Sequence, residues 1–134
     1  MGIRWQDKIT NTEVLKRADL PSIMGTLSIR RLRWLGHVRR MDNSRIPKQV
    51  LFGELSEGRR HRGRPMLRYK DVCKTSMKDF CISTEKWEKL AEDRTQWKTS
   101  IHKGARTYED NLRCKLEIKR TTRKDKVQAS TNLP

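Results

Sequence analysis

Ser22-Ile-Met-Gly-Thr-Leu-Ser-Ile-Arg-Arg-Leu-Arg-Trp-Leu-Gly-His-Val-Arg-Arg-Met41 has its apolar residues at helical spacing. Pro21 stops whatever precedes it, Ser22 is a helix N-cap residue, and no proline interrupts the run that follows. At about 100° per residue, Ile23, Met24, Leu27, Trp34, Leu35, Val38 and Met41 share one face about 120° wide. Arg30, Arg33, His37 and Arg40 share another. The segment is predicted to be a long amphipathic helix with a cationic side, its tryptophan packed inward. Arg31 falls inside the apolar stripe and has no place in this scheme.

The same period extends in both directions. Upstream, Thr10 and Glu13 have capping-box spacing, and Val14, Leu15 and Ala18 give a short apolar edge ending near Leu20. Downstream, Asp42, Asn43 and Ser44 predict a turn. Pro47 suits the first position of a short helix closed by Gly53. Pro65 suits the start of another, in which Met66, Tyr69, Val72, Cys73, Met77 and Phe80 face one way and Lys70, Lys74 and Lys78 the other. Thr84 is placed to cap a short helix through Trp87 and Leu90. Trp97, Ile101, Ala105, Tyr108, Leu112 and Leu116 then trace one stripe over about five turns. No strand-like alternation persists and no internal repeat is found. The expectation is an all-α fold: a small, loosely packed set of about four to five amphipathic helices over residues 1–118, with a basic interhelical loop at 58–64. Residues 119–134 are expected to form a basic, polar, disordered tail.

Composition limits what such a fold can do. The chain has 134 residues, 32 Lys and Arg against 16 Asp and Glu, and a formal charge of +16. Leu, Ile, Val and Phe number 27 of 134, near the limit for independent folding, so a large enzyme core is not expected. The basic excess selects anionic partners, nucleic acid first. The longest uncharged stretch, Leu20 to Ile29, contains Pro, Gly, Ser and Thr and falls short of the roughly 20 apolar residues a bilayer span needs. The N-terminus has no apolar h-region, and Cys73, Cys81 and Cys114 form no close pair. An intracellular protein, nuclear or cytoplasmic, is expected, with no membrane partner and no small-molecule substrate.

Catalytic patterns are missing from the sequence: no phosphate-cradling glycine loop, no HExxH and no GxSxG. Glu85 with Glu88, Glu92-Asp93 and Glu109-Asp110 are read as solvated partners of lysine. His37, His61, His102 and the cysteines lack the paired spacing of a zinc clip, and no cofactor is expected. The most informative charge cluster is Gly58-Arg-Arg-His-Arg-Gly-Arg-Pro65, four arginines and two glycines in eight residues. Arg62-Gly63-Arg64-Pro65 matches the core of an AT-hook, although a helix opening at Pro65 would restrain it; a solvated interhelical loop is the alternative. The residues assigned to nucleic-acid contact are Arg59, Arg60, Arg62 and Arg64 in the loop, flanked by Arg30, Arg33, Arg40, Lys70, Lys74 and Lys78.

Several motifs in order carry a family resemblance. Arg33-Trp34, Gly36-His-Val38, Arg45-Ile-Pro-Lys-Gln49, the Leu51 to Leu55 turn, Gly58 to Pro65 and Tyr69-Lys-Asp71 resemble the C-terminal tail of the reverse transcriptase polyprotein of non-LTR (LINE-type) retrotransposons. Trp87, Ala91 to Trp97 and Tyr108-Glu-Asp110 extend the likeness to roughly residues 3 to 112. The family's polymerase uses a Tyr-x-Asp-Asp turn, which does not occur here. The resemblance implies a non-catalytic fragment from beyond the polymerase domain whose arginines grip RNA or DNA, and it carries no catalytic residue over. A protein-interaction appendage that docks on a polymerase domain and a non-functional pseudogene fragment are the alternatives.

Overall fold

The computed structural model describes residues 2–53, 63 and 67–131. All of its regular structure among these residues is helical. A single 3-10 turn, Trp5–Asp7, precedes α1 (Asn11–Arg17), α2 (Ile23–Arg39), α3 (Ile46–Phe52), α4 (Tyr69–Asp79), α5 (Trp87–Glu92) and α6 (Arg94–Thr131). The small all-α architecture expected from the apolar period is the one found.

Most helix ends follow from local sequence. Thr10 Oγ1 accepts from the Glu13 amide at 3.3 Å and Ser22 Oγ from the Gly25 amide at 3.0 Å, the two caps expected of these positions. Pro47 lies in the first turn of α3 and Gly53 ends it. Cys81 ends α4 in the left-handed conformation, φ 55°, and its neighbour Ile82 donates back to the Met77 carbonyl at 2.8 Å. Two starts are shifted. Leu67 and Arg68 lie outside helix, so α4 opens at Tyr69 instead of Pro65. For α5, Ser83 Oγ accepts from the Glu85 and Lys86 amides, each at 3.4 Å, in place of a Thr84 cap, and the helix begins at Trp87.

Asp93 separates α5 from α6, and its carboxylate accepts from the Thr95 amide at 2.7 Å and the Gln96 amide at 3.1 Å. These amide donors hold the Asp93 carboxyl below the ordinary carboxylate range. A lowered folded-state pKa stabilises the fold above the unfolded value, and the contribution disappears as pH falls through the folded value. Asp93→Asn, which keeps a capping oxygen without a titratable group, should therefore flatten part of the acid limb of stability. Circular dichroism melts from neutral pH downward measure this; an unchanged acid limb would show that the cap does not titrate with folding.

α2 is the centre of the packing, with α6 on one flank and α4 on the other. Its buried positions are Gly25, Ser28, Leu32, Leu35, Gly36 and Val38, with Ile29 packed against the same core. Spacings of three and four residues run through this set, and relative to the face expected from apolar residues it is rotated by about 100°. Ile23, Met24, Leu27 and Trp34 are exposed instead, Trp34 by 49%. The reason is close approach. A Cβ on Gly36 would overlap the indole of Trp97, and one on Gly104 would overlap the backbone of Phe80. Small residues form the contact, and a count of large apolar side chains does not register them. Arg31 finds its place here: its guanidinium donates to Ser76 Oγ at 2.8 Å, and its carbonyl accepts from the Tyr69 hydroxyl at 3.0 Å.

The faces of α4 and α6 match expectation more closely. Cys73, Met77 and Phe80 are buried from α4, and Trp97, Ile101 and Ala105 from α6. Trp97 lies between helices: its Nε1 donates to the Leu32 carbonyl at 2.9 Å and its ring lies 6.3 Å from that of Trp87. Glu109 Oε1 accepts from both the amide and the hydroxyl of Ser22, at 3.0 and 2.7 Å, which pins the start of α2 to α6. Glu88 and Glu92 pair with Arg39 of α2, at 3.6 and 3.0 Å, instead of with lysines as expected. From Arg113 to Gln128 every side chain is exposed, so the polar C-terminal stretch adds nothing to the core, yet its backbone continues α6 to Thr131.

Candidate nucleic-acid interface

The flank of α2 that faces α6, next to the Gly36–Trp97 crossing, opens into a groove of about 900 Å³. α2 contributes Arg30, Arg33, Trp34 and His37, and Arg40 caps its end; α6 contributes Arg94, Thr95 and Lys98, with Trp97 and Ile101 at the floor. The helical period gathers the α2 cations on one side. The α6 cations come from a segment about sixty residues later, brought opposite by the packing of Trp97 on Gly36.

Charge in this groove has one sign. Among the described residues, Arg30, Arg33, Arg94 and Lys98 are exposed and make no salt bridge, and no acidic side chain lines the wall. Such a concave set of like charges focuses potential outward and attracts polyanions. Arg40 is different, because its guanidinium donates to the Ala91 carbonyl at 2.6 Å and so ties α2 to the end of α5. Trp34 stands in the wall with its ring centroid 5.5 Å from that of His37, the planes tilted by 52°.

Of the residues assigned from sequence, Arg30, Arg33 and Arg40 meet in this groove. Lys70, Lys74 and Lys78 do not, since α4 packs on the opposite flank of α2 through Ser76 against Ser28 and Arg31. Lys74 and Lys78 are exposed there, while the Lys70 ammonium lies over the Phe52 ring of α3, 5.5 Å from its centroid. Arg59, Arg60, Arg62 and Arg64 lie outside the described residues. Sequence reading placed Trp34 in the core, with base stacking the lesser alternative, and missed His37, Arg94 and Lys98 as site residues. His37 was visible in the cationic face of α2, whereas Arg94 and Lys98 needed the tertiary crossing.

Elsewhere, burial pushes the Tyr69 phenol and the Cys73 thiol up from their ordinary values, so both stay protonated beside Arg31. Cys81 and Cys114 are free and exposed. Among the described residues no three His, Cys, Asp or Glu side chains converge as metal ligands, and no helix is long and apolar enough to cross a membrane. No protein-family model, no curated protein and no solved structure matches the chain.

Proposed function

We propose that the chain is a nucleic-acid-binding module that captures phosphate backbones in the α2/α6 groove and performs no chemistry on them. The observation that carries this reading is the set of four exposed cations, Arg30, Arg33, Arg94 and Lys98, with no carboxylate partner among the described residues, on a concave wall. With 32 basic against 16 acidic side chains many cations must stand without a carboxylate, and what sets these four apart is that the packing of α2 on α6 gathers them around one groove. Its resemblance to the region following the polymerase domain of non-LTR retrotransposons agrees in kind, and we infer that the module derives from such an element, working in the intracellular compartments where nucleic acid is found.

Phosphate-driven binding has a signature. On duplex DNA, log Kobs should fall against log salt with a slope of about −0.9 per contacted phosphate, so four contacts give about −3.6. Anisotropy titrations of labelled RNA and DNA from low to physiological salt test this. A flat salt dependence, or no binding to either polymer at low salt, would remove the proposal.

A second reading has its own observation. Leu20, Ile23, Met24 and Leu27 are exposed together at the start of α2, an apolar surface that suits docking on a neighbouring protein domain such as a polymerase. It would make the module an appendage, and the groove would then serve its host.

A further inference from the structure

An indole half open to solvent in the wall of a cationic groove is not needed for phosphate contact. Trp34 is 49% exposed and lines the groove beside His37, whose ring is tilted by 52° against the indole and is not stacked on it. Beyond this point the groove continues along α6. A shallower hollow is lined by Thr95, Lys98, His102, Lys103, Arg106 and Asp110 and shares Thr95 and Lys98 with the first. Arg94, Lys98, His102 and Arg106 are each four residues apart, about 6 Å per step and about 18 Å in all along the helix axis. Asp110 lies past the end of this row, where its charge opposes a further phosphate.

We propose that the groove takes a single strand: one unpaired base stacks on Trp34 beside His37, and the phosphates on one side of it follow Arg94, Lys98, His102 and Arg106 along α6. This rests on the nucleic-acid reading above and adds the class of polymer. Duplex DNA and RNA keep the faces of their bases inside the stack, so a duplex could meet the arginines but would leave the indole without a partner. An unpaired base offers its face to an aromatic ring whatever its identity, which predicts tolerance of sequence. A row of this length holds a few nucleotides, at the short end of the range known for single-strand grooves. Arg33 and Arg30 lie on the α2 wall, where they meet the strand from the other side.

The test uses the full chain with a labelled oligouridine strand and a duplex of equal length, at one salt concentration and then across a salt series. The parent should bind the strand more tightly than the duplex. Trp34→Ala should lose about tenfold in affinity for the strand, with the salt slope unchanged because no cation is removed, and should bind the duplex as the parent does. Trp34→Phe should keep most of the affinity. Because it retains a ring, Trp34→Phe also gives a readout independent of the alanine variant's folding: the strand should quench the fluorescence difference between parent and Trp34→Phe. Equal binding of strand and duplex by the parent, or a Trp34→Ala variant that binds the strand as the parent does, would overturn the stacking proposal and leave phosphate capture standing. Binding to neither polymer, including a chain that binds only vesicles containing phosphatidylserine, would overturn both.

Discussion

Trp97→Ala should unfold the chain or bring its thermal transition close to room temperature. The indole is 2% exposed, donates to the Leu32 carbonyl at 2.9 Å and sits against Gly36 and Trp87, so one side chain joins α2, α5 and α6. Truncating a buried tryptophan costs about 3–5 kcal/mol. Small domains have about 5–15 kcal/mol in total, and this one buries few large residues, so the loss consumes most of what is available. Gly36→Ala approaches the same contact from the other side. Its methyl would overlap the indole, and relief requires α2 and α6 to separate, at a cost of about 1–3 kcal/mol. Urea denaturation followed by circular dichroism measures both. A Trp97→Ala variant with a parent-like transition would show that the α2–α6 crossing is not what holds the helices together.

Replacing Arg30, Arg33, Arg94 and Lys98 together by alanine should leave the fold intact and remove most of the binding. All four are exposed and none is paired among the described residues, so no ion pair seen among those residues depends on them. Each lost phosphate contact on a single strand removes about 0.7 from the salt slope, so the slope should shrink by about 3. Near physiological salt the same relation gives an affinity loss of about two powers of ten. Arg40 is left out of this variant on purpose, because it holds the Ala91 carbonyl and its removal would mix a folding effect with a binding effect.

Where the sequence is legible and where it is not has a physical reason in each case. Caps at Thr10 and Ser22, and Gly53 at the end of α3, could be read because they act through the backbone of the next few residues. The inward stripes of α4 and α6 could be read because large apolar residues make them: Cys73, Met77 and Phe80 on one helix, Trp97, Ile101 and Ala105 on the other. α2 misleads because its contacts are made by what is missing. Gly25, Ser28 and Gly36 give neighbours room, while Ile23, Met24, Leu27 and Trp34 point outward, and a periodicity count weighs these two groups the wrong way round. The consequence for function is direct. Trp34 reads as core in the sequence and stands in the groove wall in the fold, and the arginines read beside it acquire Arg94 and Lys98 as an opposite wall only through that packing.

The proposed role of the α2/α6 groove in nucleic-acid binding is tested most directly by two variants in one experiment. The first carries alanine at Arg30, Arg33, Arg94 and Lys98; the second carries alanine at Arg59, Arg60, Arg62 and Arg64. Both remove four positive charges, so a general loss of charge affects them alike and only position separates them. Salt-dependent affinity for one single-stranded oligonucleotide is the measurement. The groove variant should show the larger loss, about two powers of ten near physiological salt, and the larger decrease in slope. A groove variant that binds like the parent, beside a loop variant that no longer binds, would contradict it.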